Sequence, residues 1–387
     1  MSLIEVKSKA DIKAFLELPV RLYKNEKNWI RPLDKDIEAV FDKKTNKFFR
    51  HGECIRWLLK DDKGETIGRV AAFINNKTAK STKVVCGGMG FFECVNDESA
   101  AFTLFKTCQD WLTERNMQAM EGPINFGERD KWWGLLVDGF DREPNYCTPY
   151  TLPYYQAFFE NYGFQDYFKQ LTFQRPVLLP LPQAYKDKAE RINRDPAYHF
   201  EYINKKKLEK YADDFHVIYN AAWSKHVGVK GMNKAQAMSI MQQLKPVLDE
   251  EIVWFAYHNG KPIGFFVMIP ELNQIFKYCN GKFGWFQKLL FVYHQWRKTC
   301  RKMFGVAFGI IPEFQGRGLE GAIVQAAANI VQHNGRYDDF EINWIGDFNP
   351  KMIHVAESIG STVGKTHITY RKIFDSTIPF ERAPIIH

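Results

Sequence analysis

The stretch with the clearest chemistry is Gln315-Gly-Arg-Gly318. The residues before it, Val306 to Ile311, read as a strand. After it, Leu319, Ile323, Ala326, Ala327 and Ile330 recur at helical spacing. A glycine loop feeding a helix N-terminus is a ready anion site. Unpaired N–H groups point outward, the helix dipole is positive there, and glycine lets a phosphate approach the backbone. Arg317 adds a charged donor. No Gly-Lys-Ser/Thr follows, so this is not a nucleotide P-loop. Gly316, Gly318 and Gly321 do not fit a dinucleotide fingerprint either. Acid–base candidates lie downstream. On the strand Asp338 to Ile345, residues Asp339, Glu341 and Asn343 share one face and Phe340, Ile342 and Trp344 the other. A polar strand face is expected to line a cleft, with Glu341 as a base acting through water. His354 is the candidate acid.

Around this stretch lie 387 residues, enough for two or three domains, with 45% hydrophobic and 15% aromatic residues. The net charge of +8 is mild for the length, and no polybasic run dominates, so no nucleic-acid partner is expected. Seven scattered cysteines without a C-x-x-C pair argue against a disulfide framework and against a metal site. The N-terminus does not read as a signal peptide and no run of about 18 apolar residues occurs. The expectation is a cytoplasmic protein without stable membrane insertion.

The chain reads as a duplication. Ser8 with Asp11 forms a capping box for a helix that Pro19 threatens to break. Helices are expected at Ser99 to Arg115, Lys207 to Ser224 and Asn233 to Leu248. Hairpins are expected around Asp61-Asp-Lys-Gly64 and Asn259-Gly260. The first continues Glu-Thr-Ile67-Gly68 and the second Lys-Pro-Ile263-Gly264. The tails repeat too: Pro153, Gly163 and Phe173 match Pro350, Gly360 and Tyr370 at nearly the same offset as the hairpins. Two anchor sets in one order imply a duplicated α/β unit. Residues 1–175 and 196–387 would be the two domains, joined by a proline-rich charged linker, 176–195.

This element order, with Gln315-Gly-Arg-Gly318, resembles the GNAT superfamily of acyl-CoA-dependent N-acyltransferases, whose signature is Arg/Gln-x-x-Gly-x-Gly/Ala. Gln315 and Gly318 match, and Glu320 stands where Gly or Ala is usual. The resemblance covers about 205–374 and, through hairpin and tail, the first half more loosely. It implies an α/β (α+β) fold: two GNAT-like domains in tandem, each a mixed, mostly antiparallel sheet flanked by helices, forming an intramolecular pseudo-dimer. It implies acetyl-CoA or another acyl-CoA as cosubstrate, with Ile310, Ile311, Gln315, Gly316, Arg317, Gly318, Leu319 and Gly321 around it. The Ile310 N–H would face the thioester carbonyl. Tyr278, Asp339, Trp344, Asn125 and Trp132 are the candidate substrate contacts, and Asn349 joins Glu341 and His354 as a catalytic candidate.

The pattern departs from the family at two places. The tyrosine acid seven residues after the asparagine of the tail helix would fall at Ala356, and the equivalent position in the first half is Phe159. The first half also has no glycine loop; Asn96 or Asp97 would cap its helix with a side chain and repel phosphate. Only the second half is therefore expected to bind CoA. The reading is acyl transfer to a small amine, with a catalytically silent CoA-binding sensor as the alternative. Residues 271–303 look like an insertion of interleaved aromatic and basic residues. An amphipathic helix packing on the first half is expected; a lid, or contact with a membrane surface or nucleic acid, are the other readings.

Overall fold

A computed structural model describes the chain apart from residues 82, 224–230 and 387. The first half runs β1 (Ser2–Glu5), α1 (Lys9–Leu22), α2 (Asp34–Phe41), β2 (Gly52–Lys60), β3 (Thr66–Asn75), β4 (Cys86–Cys94), α3 (Glu98–Thr113), β5 (Ala119–Gly122), β6 (Leu135–Asp138), α4 (Tyr155–Asn161) and β7 (Gln165–Pro176). A helix in the joint, α5 (Gln183–Asn193), leads to β8 (Tyr198–Tyr202), α6 (Leu208–Trp223), α7 (Lys234–Leu244), β9 (Val253–His258) and β10 (Lys261–Pro270). Then come α8 (Asn273–Phe276), α9 (Trp285–Trp296), β11 (Lys302–Ile310), α10 (Leu319–Asn334), β12 (Asp339–Ile342), β13 (Ile345–Gly346), α11 (Pro350–Ser358) and β14 (Thr362–Ile373). The end expected for α6 at Ser224 lies outside the described residues.

Local signals explain the boundaries. The Ser8 hydroxyl accepts from the Asp11 N–H at 3.1 Å while the Asp11 carboxylate accepts from the Ser8 N–H at 2.9 Å, closing the capping box of α1. Pro19 does not break that helix; it is buried inside it. Asp97 caps α3, accepting from Ser99 and Ala100.

The expected fold class is present, mixed and mostly antiparallel with flanking helices, but the sheet does not divide by half. One 14-stranded sheet runs β1-β2-β3-β4-β5-β14-β7-β12-β11-β10-β9-β8, with β6 added on β14 and β13 on β7. Within it β4–β5 and β11–β12 are the parallel neighbours. The tails are exchanged. β14 pairs with β5 of the first half, Tyr370 opposite Gly122, and β7 pairs with β12 of the second, Glu341 opposite Gln174. β7 and β14 run antiparallel to each other at the centre. The tail helices stay home and receive the other half's strand. Phe159 on α4 packs on Tyr370 at 5.5 Å, and Ala356 on α11 packs in one cluster with Phe173.

Candidate functional site

β4 and β11 each pair with their parallel neighbour only near their starts, at Cys86–Gly88 and Lys302–Gly305. Beyond that they diverge and leave a gap. In the second half, Ile311 N–H bonds to Ile263 O at 3.0 Å, making 263/311 a hydrogen-bonded pair. Antiparallel pairs alternate, so at the next pair, Gly264/Ile310, the backbone groups of Ile310 point away from β10 and into the gap. Its carbonyl accepts from the Gln315 side-chain amide at 2.9 Å. Its N–H points the same way by the same alternation.

The gap of the first half is filled. Cys94 stands opposite Gly68 as Ile310 stands opposite Gly264. The Cys94 N–H donates to the Tyr155 hydroxyl at 3.0 Å, and its carbonyl accepts from the Tyr154 hydroxyl at 2.8 Å. With Asp97 capping α3, that half has neither a free anion site nor a free strand edge. At the tail positions equivalent to these tyrosines the second half has Lys351 and Met352.

The loop holds the geometry an anion needs. Gly316 (φ +70) and Gly318 (φ +90) are left-handed, a region that favours glycine, and Gly318 N-caps α10 with no side-chain acceptor. A methyl on Gly316 would meet nothing within 4 Å, so the backbone there is open to a ligand. The joint helix α5 lies along α10. Arg191 donates to the Arg317 carbonyl at 2.7 Å, and Lys188 pairs with Glu320 at 3.5 Å. Glu320 is thus turned toward a lysine, which offsets the charge that would oppose a phosphate. Arg317 stacks on Phe314. Gly321 serves packing rather than ligand: a Cβ there would sit 3.3 Å from Tyr185 and Lys188 of α5. Leu319 is buried in the core under α10 and Ile311 is tied into the sheet. The loop 316–318 with Ile310 therefore fits a phosphorylated acyl carrier.

The acid–base candidates do not converge on this gap. Glu341 does not line a cleft. It is buried between Lys302 and Lys365, 2.8 Å from each Nζ, and Lys365 comes from the exchanged strand β14. Although burial opposes ionisation, the two ammonium groups outweigh it and hold the carboxyl at about 2, so it is a poor proton acceptor. Asp339 on the same face is exposed. Asn349 caps α11, accepting from Met352 N–H at 3.3 Å, and His354 is exposed on that helix. Tyr278 stacks on His294 within the insertion at 4.3 Å. Trp132 and Trp344 belong to one aromatic cluster with Phe126 and Phe168, and Asn125 is buried beside them with Oδ1 lacking a partner.

The sequence reading passed over a cavity of about 80 Å³ in the first half, where Arg31, Asp34, Arg69 and Glu93 stand among apolar residues such as Ile30 and Phe91. Glu93 is buried. It accepts from the Tyr23 and Tyr155 hydroxyls at 2.8 and 2.9 Å and lies 3.5 Å from Arg69. Burial raises its carboxyl above the usual range, against the pull of Arg69. Glu271 was also missed. It is buried at the seam, accepts from Tyr146 and Asn273 N–H groups, and is pushed by burial to about 7. Its folded value exceeds the unfolded one, so its contribution to stability is complete below about pH 4.5 and lost as pH rises through about 7. Melting from pH 5 to 8 should show a decline on the order of 3 kcal/mol that Glu271→Gln flattens. The same slope in the variant would assign it to another group.

No family model matches the chain. The chain is 28% identical over 377 residues to the bacterial ceramide synthase of Caulobacter vibrioides, covering 96% of this chain and 97% of that protein. It is 26% identical over 380 residues to protein YghO of Escherichia coli, covering 94% and 93%. Among solved structures, a tandem GNAT protein from the clavulanic acid biosynthesis pathway aligns with TM-score 0.53 over 98% of this chain and 99% of its own, at 10% identity. A fungal multi-domain β-N-acetylglucosaminidase with a GCN5-related glucosamine N-acetyltransferase region aligns with TM-score 0.55 over 96% of this chain and 38% of its own, at 11% identity. With two related halves, one open strand gap and one filled, the chain has the fold of a tandem GNAT protein.

Proposed function

We propose that the chain is an acyl-CoA-dependent N-acyltransferase whose acceptor is the amine of a long-chain, lipid-like molecule rather than a small amine. The observation that carries acyl transfer is the pairing of an open loop, Gly316 to Gly318, with an open strand edge at Ile310, while both features are blocked in the first half. The name of the Caulobacter relative supports a lipid acceptor such as a sphingoid base. In the proposed step the neutral amine attacks the thioester carbonyl carbon. The C–N bond forms, the C–S bond breaks, and the amine's surplus proton ends on the released thiol, by way of water. The loop N–H groups and Arg317 hold the phosphates, and the Ile310 N–H stabilises the carbonyl oxygen as it gains charge. A thiol pKa near ~8.5 makes a dedicated acid dispensable.

The test is release of free thiol from short- and long-chain acyl-CoA against a panel of small amines and long-chain amino alcohols. Turnover is expected with the long-chain amines. Turnover confined to small amines would overturn the lipid acceptor. CoA binding without turnover on any amine would favour a silent sensor, the reading that the buried Ala356 at the tyrosine position supports.

A further inference from the structure

The insertion between β10 and β11 carries a surface that acyl transfer does not use. One face of α9 anchors it. Phe291 is buried against Phe276 and Phe283, the Gln295 amide donates to Pro246 O at 2.7 Å, and the His294 ring lies 2.9 Å from the Thr299 hydroxyl. The preceding loop is clamped to the first half. Asp34 N–H donates to Gly281 O at 2.8 Å, Lys282 pairs with Asp34 at 2.7 Å, and Lys277 pairs with Glu143 at 3.0 Å. The inner face of α9 thus rests chiefly on its own insertion and on Pro246, and the contact with the first half expected of the helix is made chiefly by the loop before it.

The outer face is apolar and bare. Trp285, Phe286, Leu289, Val292, Tyr293 and Trp296 form one helical stripe, and the two tryptophans at its ends are 76% and 75% exposed. Those ends lie about 16 Å apart at 1.5 Å per residue. Between Glu271 and Glu313 the chain has seven Lys or Arg and no Asp or Glu. Among the described residues, Lys288, Arg297 and Lys298 have no acidic partner. Six large apolar side chains edged by free cations fit an interface of hydrocarbon beneath anionic headgroups. A second copy of the chain fits poorly, because a symmetric contact would set these cations against their own counterparts with no carboxylate on the segment to offset them.

We propose that α9 docks this protein onto an anionic lipid bilayer, lying in the plane of the interface. None of the helices among the described residues is long and apolar enough to cross a membrane, so the docking is peripheral. The clamp residue Asp34 and its neighbour Arg31 also line the cavity of the first half, so the loop that carries α9 is tied to the wall of that cavity. The inference stands on the surface alone and does not require the acyl-transfer reading.

The experiment is flotation of the full chain with vesicles of phosphatidylcholine alone and with phosphatidylglycerol added. Wild type should float with the anionic vesicles and fall off as salt rises. Trp285→Ser with Trp296→Ser should weaken partitioning about tenfold or more, and Lys288→Glu, Arg297→Glu, Lys298→Glu on the order of a hundredfold. The five side chains are exposed, so the variants should keep the wild-type melting curve, which verifies folding. Wild type left in the lower fraction with both vesicle types would overturn the proposal. So would sedimentation showing a dimer that Trp296→Ser dissociates. Retained vesicle binding with lost thiol release, or the reverse, separates this proposal from the acyl-transfer reading.

Discussion

Gly318→Asp is expected to lower CoA affinity at least about a hundredfold, read by calorimetry, against a wild-type stoichiometry of one CoA per chain. Three effects add. At φ +90 a side chain is strained, by about 1–2 kcal/mol. Its Cβ would stand 3.1 Å from Arg191 and 3.2 Å from Lys188, so the carboxylate would engage the cations that flank the loop. It would also place a negative charge at the helix N-terminus where the phosphates belong. Gly318 is itself buried, but what a side chain would meet there is Arg191 and Lys188 of α5 rather than the core, which begins at Leu319, so the structural cost stays local. Lys188→Ala is the milder companion. It frees Glu320 to oppose the phosphates and should weaken binding about three- to tenfold, more at low salt. Unchanged affinity in Gly318→Asp would place the CoA site elsewhere, and two CoA per chain would mean that the Tyr154 and Tyr155 plug opens.

Glu341→Ala should be the most destabilising single change, by about 3–5 kcal/mol. It would leave the buried Lys365 and the half-buried Lys302 with like charges facing each other and no carboxylate between. In Glu341→Ala with Lys365→Met one buried charge is gone, and much of the loss should return. A double-mutant cycle by urea unfolding measures the coupling. A loss below about 1 kcal/mol in the single variant would show that the triad does not hold the seam together. Glu341→Gln separates structure from chemistry. If its pH–rate profile keeps the wild-type shape, Glu341 is not the base.

The duplication was legible because hairpin glycines and tail anchors are local features that repeat in register. The loop was legible because left-handed positions demand glycine. The exchange of β7 and β14 was not. Phe173 and Tyr370 carry the same pattern at the same place in their tails, so alternation fits either half's sheet equally well. The ion pairs that bury Glu341 were hidden for the same reason: its partner Lys365 arrives from the exchanged strand. The joint 176–195 looked like a linker through its prolines and charges. Yet Tyr185, Ala189 and Ile192 recur at helical spacing, and they pack α5 against α10. Glu93 left a fainter signal, a single carboxylate in the apolar run Gly90-Phe-Phe-Glu-Cys94, and only the fold shows that Tyr23, Arg69 and Tyr155 surround it.

The exchanged tails also make each half a mechanical tenant of the other. The strand beyond the open gap is β12, and β12 is held on its far side by β7, which belongs to the first half. Any widening of the gap as an acyl carrier enters must be borne by that borrowed strand, and through it by β14 and β5. The half without an anion site is therefore in the load path of the half that has one. Cutting the chain at the joint would not yield two working units. Each would lose the strand that its neighbour contributes to its sheet.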